Sequence, residues 1–139
     1  MTREEASGDE TSRFADDLVA SQSPVLSAEE AAAVAALPAD SALLIVHRGP
    51  GLGSRFLLDA DLTVAGRHPD ADIFLDDVTV SRRHAEFHRN GRIFTVTDLG
   101  SMNGIFVNGS RVESATLTPG AEMLIGKFRL TFYPSGRES

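Results

Sequence analysis

Four polar clusters fall between apolar segments of this chain: Gly66-Arg67, Ser81-Arg82-Arg83-His84, Gly100-Ser101-Met102-Asn103-Gly104 and Asn108-Gly109. Each lies where one strand pattern ends and the next begins, and loops carried on a rigid sheet are where binding residues concentrate. The groups on offer are guanidiniums, hydroxyls and amides. Arg67 follows a glycine and precedes His68-Pro69, so it occupies a loop where its fork can pair with two oxygens of one anion. A phosphothreonine carries about −1.5 to −2 charges at pH 7 and three acceptor oxygens, more than one cation satisfies, and Ser81 and Arg82 are the natural supplements. Alone, an Arg-Arg pair is a solvated loop face; in this constellation it is equipment for a phosphate on a peptide. Asn103 suits the peptide rather than its phosphate, because an amide can accept from one backbone N–H while donating to a carbonyl and so hold an extended chain whatever its side chains. Gly104 gives that loop access to positive φ. Ser101 shapes the loop or contacts phosphate, and Asn108-Gly109 is first of all a tight hairpin.

Other chemistry fits less well. His84 and His88 are four apart, a spacing that aligns metal ligands on a helix, but the context is a strand and no third ligand has suitable spacing. Ser81, His84 and Asp98 lack the G-x-S-x-G elbow of a hydrolase. Gly49-Pro50-Gly51-Leu52-Gly53 lacks the Lys-Ser/Thr of a phosphate loop and opens a strand rather than a helix. Neither catalysis nor a metal or other cofactor is expected.

The elements that must position these residues are strands. Ala42-Leu43-Leu44-Ile45-Val46 is a continuous apolar strand, and Gly49-Pro50-Gly51 turns it toward Arg55-Phe56-Leu57-Leu58. Further short strands follow at about 62–65, 73–75, 84–89, 92–98, 105–107, 111–112, 121–125 and 128–133, with turns at Asn90-Gly91, Asn108-Gly109 and Pro119-Gly120. Such spacing reads as an all-β sandwich of about 10–11 short strands. Residues 1–26 hold one aromatic, Phe14, many acids and no sustained periodicity, the composition of a disordered tail. Ser27-Ala28-Glu29-Glu30 has the form of a capping box and predicts a short helix near 28–36, stopped by Pro38; isolated, a helix this short is unstable. The expected division is an acidic regulatory tail over 1–40, a binding domain over 41–134 and a C-terminal tail over 135–139.

The net charge of −7 resides in that tail: residues 1–40 hold nine acids against Arg3 and Arg13, and the rest of the chain balances. An acidic chain is a poor nucleic-acid binder. Twelve of the thirteen cations are arginine, a bias that suits bidentate phosphate ligands and equally a GC-rich genome. The absence of cysteine excludes disulfides and thiolate metal sites and fits a reducing cytosol. No run approaches the roughly 20 apolar residues of a membrane span, so a soluble cytoplasmic protein with no membrane contact is expected.

The order G-R, S-R-R-H, S-x-N-G over residues 42–133 resembles the forkhead-associated (FHA) domain, a β-sandwich that reads phosphothreonine. The resemblance implies phosphopeptide binding by Arg67, Ser81, Arg82, Ser101 and Asn103. It implies loop-structural roles for Gly66, His84, Gly104 and Asn108, His84 acting through hydrogen bonds. Arg83 then points away or meets acids flanking the phosphosite. Met102 stands where many members have threonine, which removes one phosphate hydroxyl. The stretch from Gly66 to His84, with Gly126-Lys127-Phe128-Arg129-Leu130, is similar to a narrower group, the small actinobacterial FHA regulators of central metabolism that comprise mycobacterial glycogen accumulation regulators and corynebacterial oxoglutarate dehydrogenase inhibitors. That similarity implies inhibition of the 2-oxoglutarate dehydrogenase complex and of an NAD-dependent glutamate dehydrogenase, activation of glutamate synthase, and control by Ser/Thr protein kinases acting on an N-terminal motif. Here the motif is Asp9-Glu10-Thr11-Ser12-Arg13-Phe14, with Glu10-Thr11 where those regulators have two adjacent threonines. Thr11 is the expected phosphosite, phosphothreonine peptides including the chain's own tail are the expected ligands, and closure is expected within a monomer. The alternative is a phosphopeptide adaptor in Ser/Thr kinase signalling.

Overall fold

The computed structural model describes residues 26–137; Thr11 and, but for Leu26, the disorder expected over 1–26 lie outside them. Among the described residues there are one helix, α1 (Ala28–Ala35), and eleven strands: β1 (Ala42–Arg48), β2 (Arg55–Leu58), β3 (Leu62–Gly66), β4 (Ile73–Phe74), β5 (Ala85–Asn90), β6 (Ile93–Asp98), β7 (Ile105–Val107), β8 (Ser110–Val112), β9 (Ser114–Thr116), β10 (Glu122–Ile125) and β11 (Phe128–Pro134). They form two sheets, six strands in the order β2-β1-β11-β10-β7-β8 and five in the order β4-β3-β5-β6-β9. Pairing is antiparallel except between β3 and β4. Alternate residues of both sheets, among them Leu44, Phe87, Val96, Ile125, Leu130 and Phe132, fill the core between them. Strand β9 had no signal in the sequence, because Ala115 is its sole apolar residue; it exists as the partner of β6, with Val96 opposite Ala115.

The unbroken apolar run in β1 has a structural cause. Ala42, Leu44 and Val46 face the core, while Leu43 and Ile45 face outward and join Leu37 in a second cluster that includes Leu26, Ala33, Val34 and Tyr133. Both faces of this strand are therefore buried. The second cluster is what makes a helix of eight residues stable, since packing of an apolar face rather than propensity supplies most helical stability. The capping box forms as the sequence predicts: Ser27 Oγ accepts from Glu30 N–H and Glu30 Oε1 accepts from Ser27 N–H, both at 3.0 Å.

Side chains and backbone lock the far end of the helix to the sandwich. Ser135 Oγ donates to the Leu37 carbonyl at 3.0 Å, Ser135 N–H to the Ser41 carbonyl at 3.0 Å, and Arg137 Nε to the Ala35 carbonyl at 3.3 Å. These bonds cross the boundaries drawn from composition at residues 41 and 135, so residues 26–40 and 135–137 belong to the folded unit. The helix thus starts beside His47, on which Glu30 acts electrostatically, and ends at the start of β1.

Ser27→Ala is expected to cost about 1 kcal/mol locally. Hydrogen exchange of the α1 amides should quicken by roughly fivefold while protection of the β5–β6 hairpin stays unchanged; equal protection of α1 in both proteins would show that the cap contributes nothing.

Candidate functional site

The loops at the ends of β3, β4 and β6 are stitched together by backbone hydrogen bonds. Arg67 N–H donates to the Ser81 carbonyl at 3.0 Å, His68 N–H to the Arg82 carbonyl at 3.3 Å, and His84 N–H to the Ala65 carbonyl at 2.9 Å. This short ladder sets Arg67 beside Ser81 and Arg82. It also explains Gly66, where a Cβ would fall 2.0 Å from the Arg82 carbonyl oxygen: only glycine lets the two backbones approach this closely. Arg67 and Arg82 are exposed and Ser81 is half-buried. Arg83 meets Glu86 at 3.6 Å and so is engaged on its own side of the loop.

His84 is fully buried, immediately before β5 rather than within it. Its Nδ1 accepts from Ser81 N–H at 3.1 Å, and its Nε2 lies 2.8 Å from the Gly104 carbonyl. An Nδ1 that accepts cannot carry the proton, so Nε2 carries it and donates to Gly104. The imidazole thereby joins the arginine loop to the asparagine loop. The second loop is further shaped by Ser101, whose N–H donates to Asp98 Oδ1 at 3.0 Å and whose Oγ accepts from Gly104 N–H at 2.9 Å. Of the two roles open to Ser101, the structure shows the shaping one. Gly104 has φ +77°, the left-handed conformation expected there. Ser81 Oγ accepts from Met102 N–H at 3.0 Å, a bond that leaves the serine's own proton for a ligand.

Sequence reasoning missed Thr79. Its Oγ1 donates to Asp77 Oδ2 at 2.5 Å and accepts from Lys127 N–H at 2.9 Å, and its carbonyl accepts from Asn103 Nδ2 at 2.8 Å. Three loops therefore converge on one residue. One N–H of Asn103 is committed to this bond, leaving its oxygen and second N–H for a peptide. The Asp77 carboxyl is held below its ordinary pKa chiefly by the hydroxyl and N–H of Thr79, against an opposing effect of burial, and further by the charges of Lys127 and Arg67. Lys127 and Arg67 thus both act electrostatically on Asp77. The only signal in the sequence was the Gly126-Lys127 turn, whose partner lies 48 positions away.

Beside Asn103 is a hollow of about 270 Å³ lined by Thr79, Asn103, Gly104, Phe106, Leu124 and Gly126. Arg82 also borders a hollow of about 540 Å³ with Arg83, His68, Asp70 and Asp72, whose carboxylates offset its cations and make it the poorer place for a phosphate. Asn108 is not at the site. It has φ +50° in the two-residue β7–β8 turn and pins that hairpin to β10, its N–H donating to the Glu122 carbonyl at 2.8 Å and its Oδ1 accepting from Glu122 N–H at 3.0 Å. Among the described residues no group of three or more His, Cys, Asp or Glu side chains is placed to hold a metal ion, and no helix is long and apolar enough to cross a membrane.

Residues 63–126 match the FHA domain family. The chain is 54% identical over 136 residues to the oxoglutarate dehydrogenase inhibitor of Corynebacterium jeikeium, covering 97% of this chain and 94% of that protein. The chain belongs to the FHA-domain family. It is also 55% identical over 135 residues to the glycogen accumulation regulator GarA of Mycobacterium tuberculosis, covering 95% of this chain and 83% of that one. A solved FHA domain from a study of phosphothreonine-dependent FHA domain interactions superposes with a TM-score of 0.65 at 30% identity, over 70% of this chain and 99% of its own. The two-sheet FHA architecture is therefore shown by structure as well as by sequence.

Because folding lowers the Asp77 pKa, its contribution to loop order is complete above the ordinary value of 3.8 and is lost as pH falls through the lowered value. The amide resonances of Thr79 and Lys127 are expected to titrate together below pH 3.8 and to stop doing so in Asp77→Asn. Titration that persists in that variant would assign the change to another group.

Proposed function

We propose that the chain is a cytoplasmic phosphothreonine-binding regulator that acts by binding rather than by catalysis, and that its own phosphorylated Thr11 switches it off. The observation that supports the reading is the backbone ladder that sets the exposed Arg67 next to Ser81 and the exposed Arg82. Two guanidinium forks and a hydroxyl are the donors that the three oxygens of a phosphoryl group call for. Asn103 then holds the peptide backbone, and the hollow beside it takes an apolar side chain downstream; in the tail, Phe14 follows Thr11 by three residues.

The relatives named as oxoglutarate dehydrogenase inhibitors and glycogen accumulation regulators support a metabolic target. In this reading the unphosphorylated protein binds the 2-oxoglutarate dehydrogenase complex through the FHA loops, and by the same surface meets an NAD-dependent glutamate dehydrogenase and glutamate synthase. Ser/Thr protein kinases then act on Thr11. Sixteen residues separate Thr11 from Ser27, a length whose root-mean-square reach as a flexible chain is about 20–24 Å. A 100-residue domain has a radius of gyration of about 13 Å, so the tail reaches the loops of its own molecule. The effective concentration of a short tether is of the order of millimolar, so a micromolar phosphopeptide affinity would favour the closed monomer by about a thousandfold. Glu10 offers one charge and two oxygens and does not replace phosphate.

Arg67→Ala should lose a charge-assisted pair of about 1.5–3 kcal/mol, roughly ten- to hundredfold in affinity, in calorimetry with a phosphothreonine peptide. Parental affinity in a folded Arg67→Ala protein would remove Arg67 from the site.

Kinase treatment should relieve inhibition of the 2-oxoglutarate dehydrogenase complex by the parent and leave Thr11→Ala fully inhibitory. If Thr11→Ala is silenced as well, Thr11 is not the switch.

A further inference from the structure

The outer face of the six-stranded sheet carries a transverse row that the phosphate site does not use. Phe106 is the register partner of Leu124, Leu124 of Arg129, and Arg129 of Arg48 across the irregularity in β1. The row therefore crosses β7, β10, β11 and β1, three inter-strand spacings or about 14 Å. Two arginines opposite each other repel. Among the described residues neither Arg48 nor Arg129 has an ion-pair partner. Arg48 is exposed and Arg129 half-buried, so the pair presents two unneutralised charges at the loop end of the sheet. Gly49, next to Arg48, packs so close to the Gly126-Lys127 turn that a Cβ there would fall 2.3 Å from the Lys127 carbonyl oxygen.

The two ends of this row lie where a chain running from the phosphate site to α1 would begin and end. Phe106 and Leu124 wall the hollow beside Asn103, where a peptide leaves the phosphate site. At the other end, Leu26 is already packed in the cluster beneath α1 together with Tyr133, whose ring meets that of His47, the neighbour of Arg48. Going from the phosphate site to α1, one meets in order the hollow, the paired arginines and the helix. Going along the chain from Thr11, one meets in order Phe14, the acids Asp16-Asp17, and Leu26. The six residues from Thr11 to Asp17 span about 20 Å when extended, enough to pass the hollow and reach the arginines, and nine more lead to Leu26.

We propose that Arg48 and Arg129 are a second docking point for the chain's own tail, receiving the carboxylates of Asp16 and Asp17 when phosphorylated Thr11 occupies the FHA loops. This rests on the closed state argued above and adds to it a route: along the outer face of the six-stranded sheet, with α1 as the fixed end. The acids neutralise the arginine pair only in that state, so closure gains from a contact that a free phosphothreonine peptide lacking these acids does not make.

The test uses the full chain with phosphothreonine placed at position 11 by peptide ligation, so that kinase preference plays no part. The probe is a fluorescent phosphothreonine peptide without other acids, and each phosphorylated protein is compared with its own unphosphorylated form. The phosphorylated parent is expected to exclude the probe. Asp16→Lys with Asp17→Lys, changes in the tail that leave the sandwich intact, should admit it about three- to tenfold better. Adding Arg48→Glu and Arg129→Glu should restore exclusion, a rescue that a general loss of stability cannot produce. Exclusion unaffected by the tail reversal, or loosened by it and not restored by the swap, overturns the docking point while leaving closure standing. A phosphorylated parent that admits the probe freely overturns closure and the docking point together. If the swapped arginine variant does not fold, the parent decides: the Arg48 and Arg129 resonances must shift on phosphorylation, and their constancy overturns the proposal.

Discussion

The binding loops depend on one buried imidazole. His84 ties four places together: its backbone N–H donates to Ala65 at the end of β3, its carbonyl accepts from Leu99 N–H after β6, its Nδ1 accepts from Ser81 N–H, and its Nε2 donates to Gly104. A buried polar group left unpaired is costly, and here every polar atom of the residue is used. Replacing this side chain by an apolar one would strand Ser81 N–H and the Gly104 carbonyl at once. The same bonds fix the tautomer, which rules the ring out as an available base and makes it a strut.

Around that strut the loops are held by their own hydrogen bonds. Gly66 admits the Arg82 backbone, Thr79 collects Asp77, Asn103 and Lys127, and Ser101 closes its own loop onto Gly104. Loops ordered in advance lose little conformational entropy on binding, so more of the phosphate contact energy appears as affinity. In the proposed switch, an enzyme surface and the protein's own phosphorylated tail compete for these loops.

Much of this was legible in the sequence, for reasons that are local. Turn chemistry at Asn90-Gly91 and Asn108-Gly109 and the alternation of β5, β6 and β11 each act over a few residues, and the sheets follow them. That Arg67 would come next to Ser81 and Arg82 was legible by residue type and spacing, and the backbone ladder brings them together. What escaped depends on distant partners. Thr79 looks like any loop threonine until β10 and β11 bring the Gly126-Lys127 turn against it. The attachment of residues 26–40 escaped for a different reason. Composition marked the segment as tail, yet the unbroken run Leu43-Leu44-Ile45-Val46 already required a cover on both faces of β1, and α1 supplies the second one. Strand β9 has no side-chain signal of its own and follows from the hydrogen-bonding edge of β6.

The central claim is that the partner enzyme and a phosphothreonine occupy the same loops. The direct measurement is competition: a free phosphothreonine peptide titrated into the complex of the unphosphorylated protein with the 2-oxoglutarate dehydrogenase complex, followed by sedimentation. Shared loops predict that the peptide releases the protein from the enzyme, with an apparent affinity that weakens in proportion to enzyme concentration. A ternary complex, with peptide bound and the enzyme still inhibited, would contradict the account.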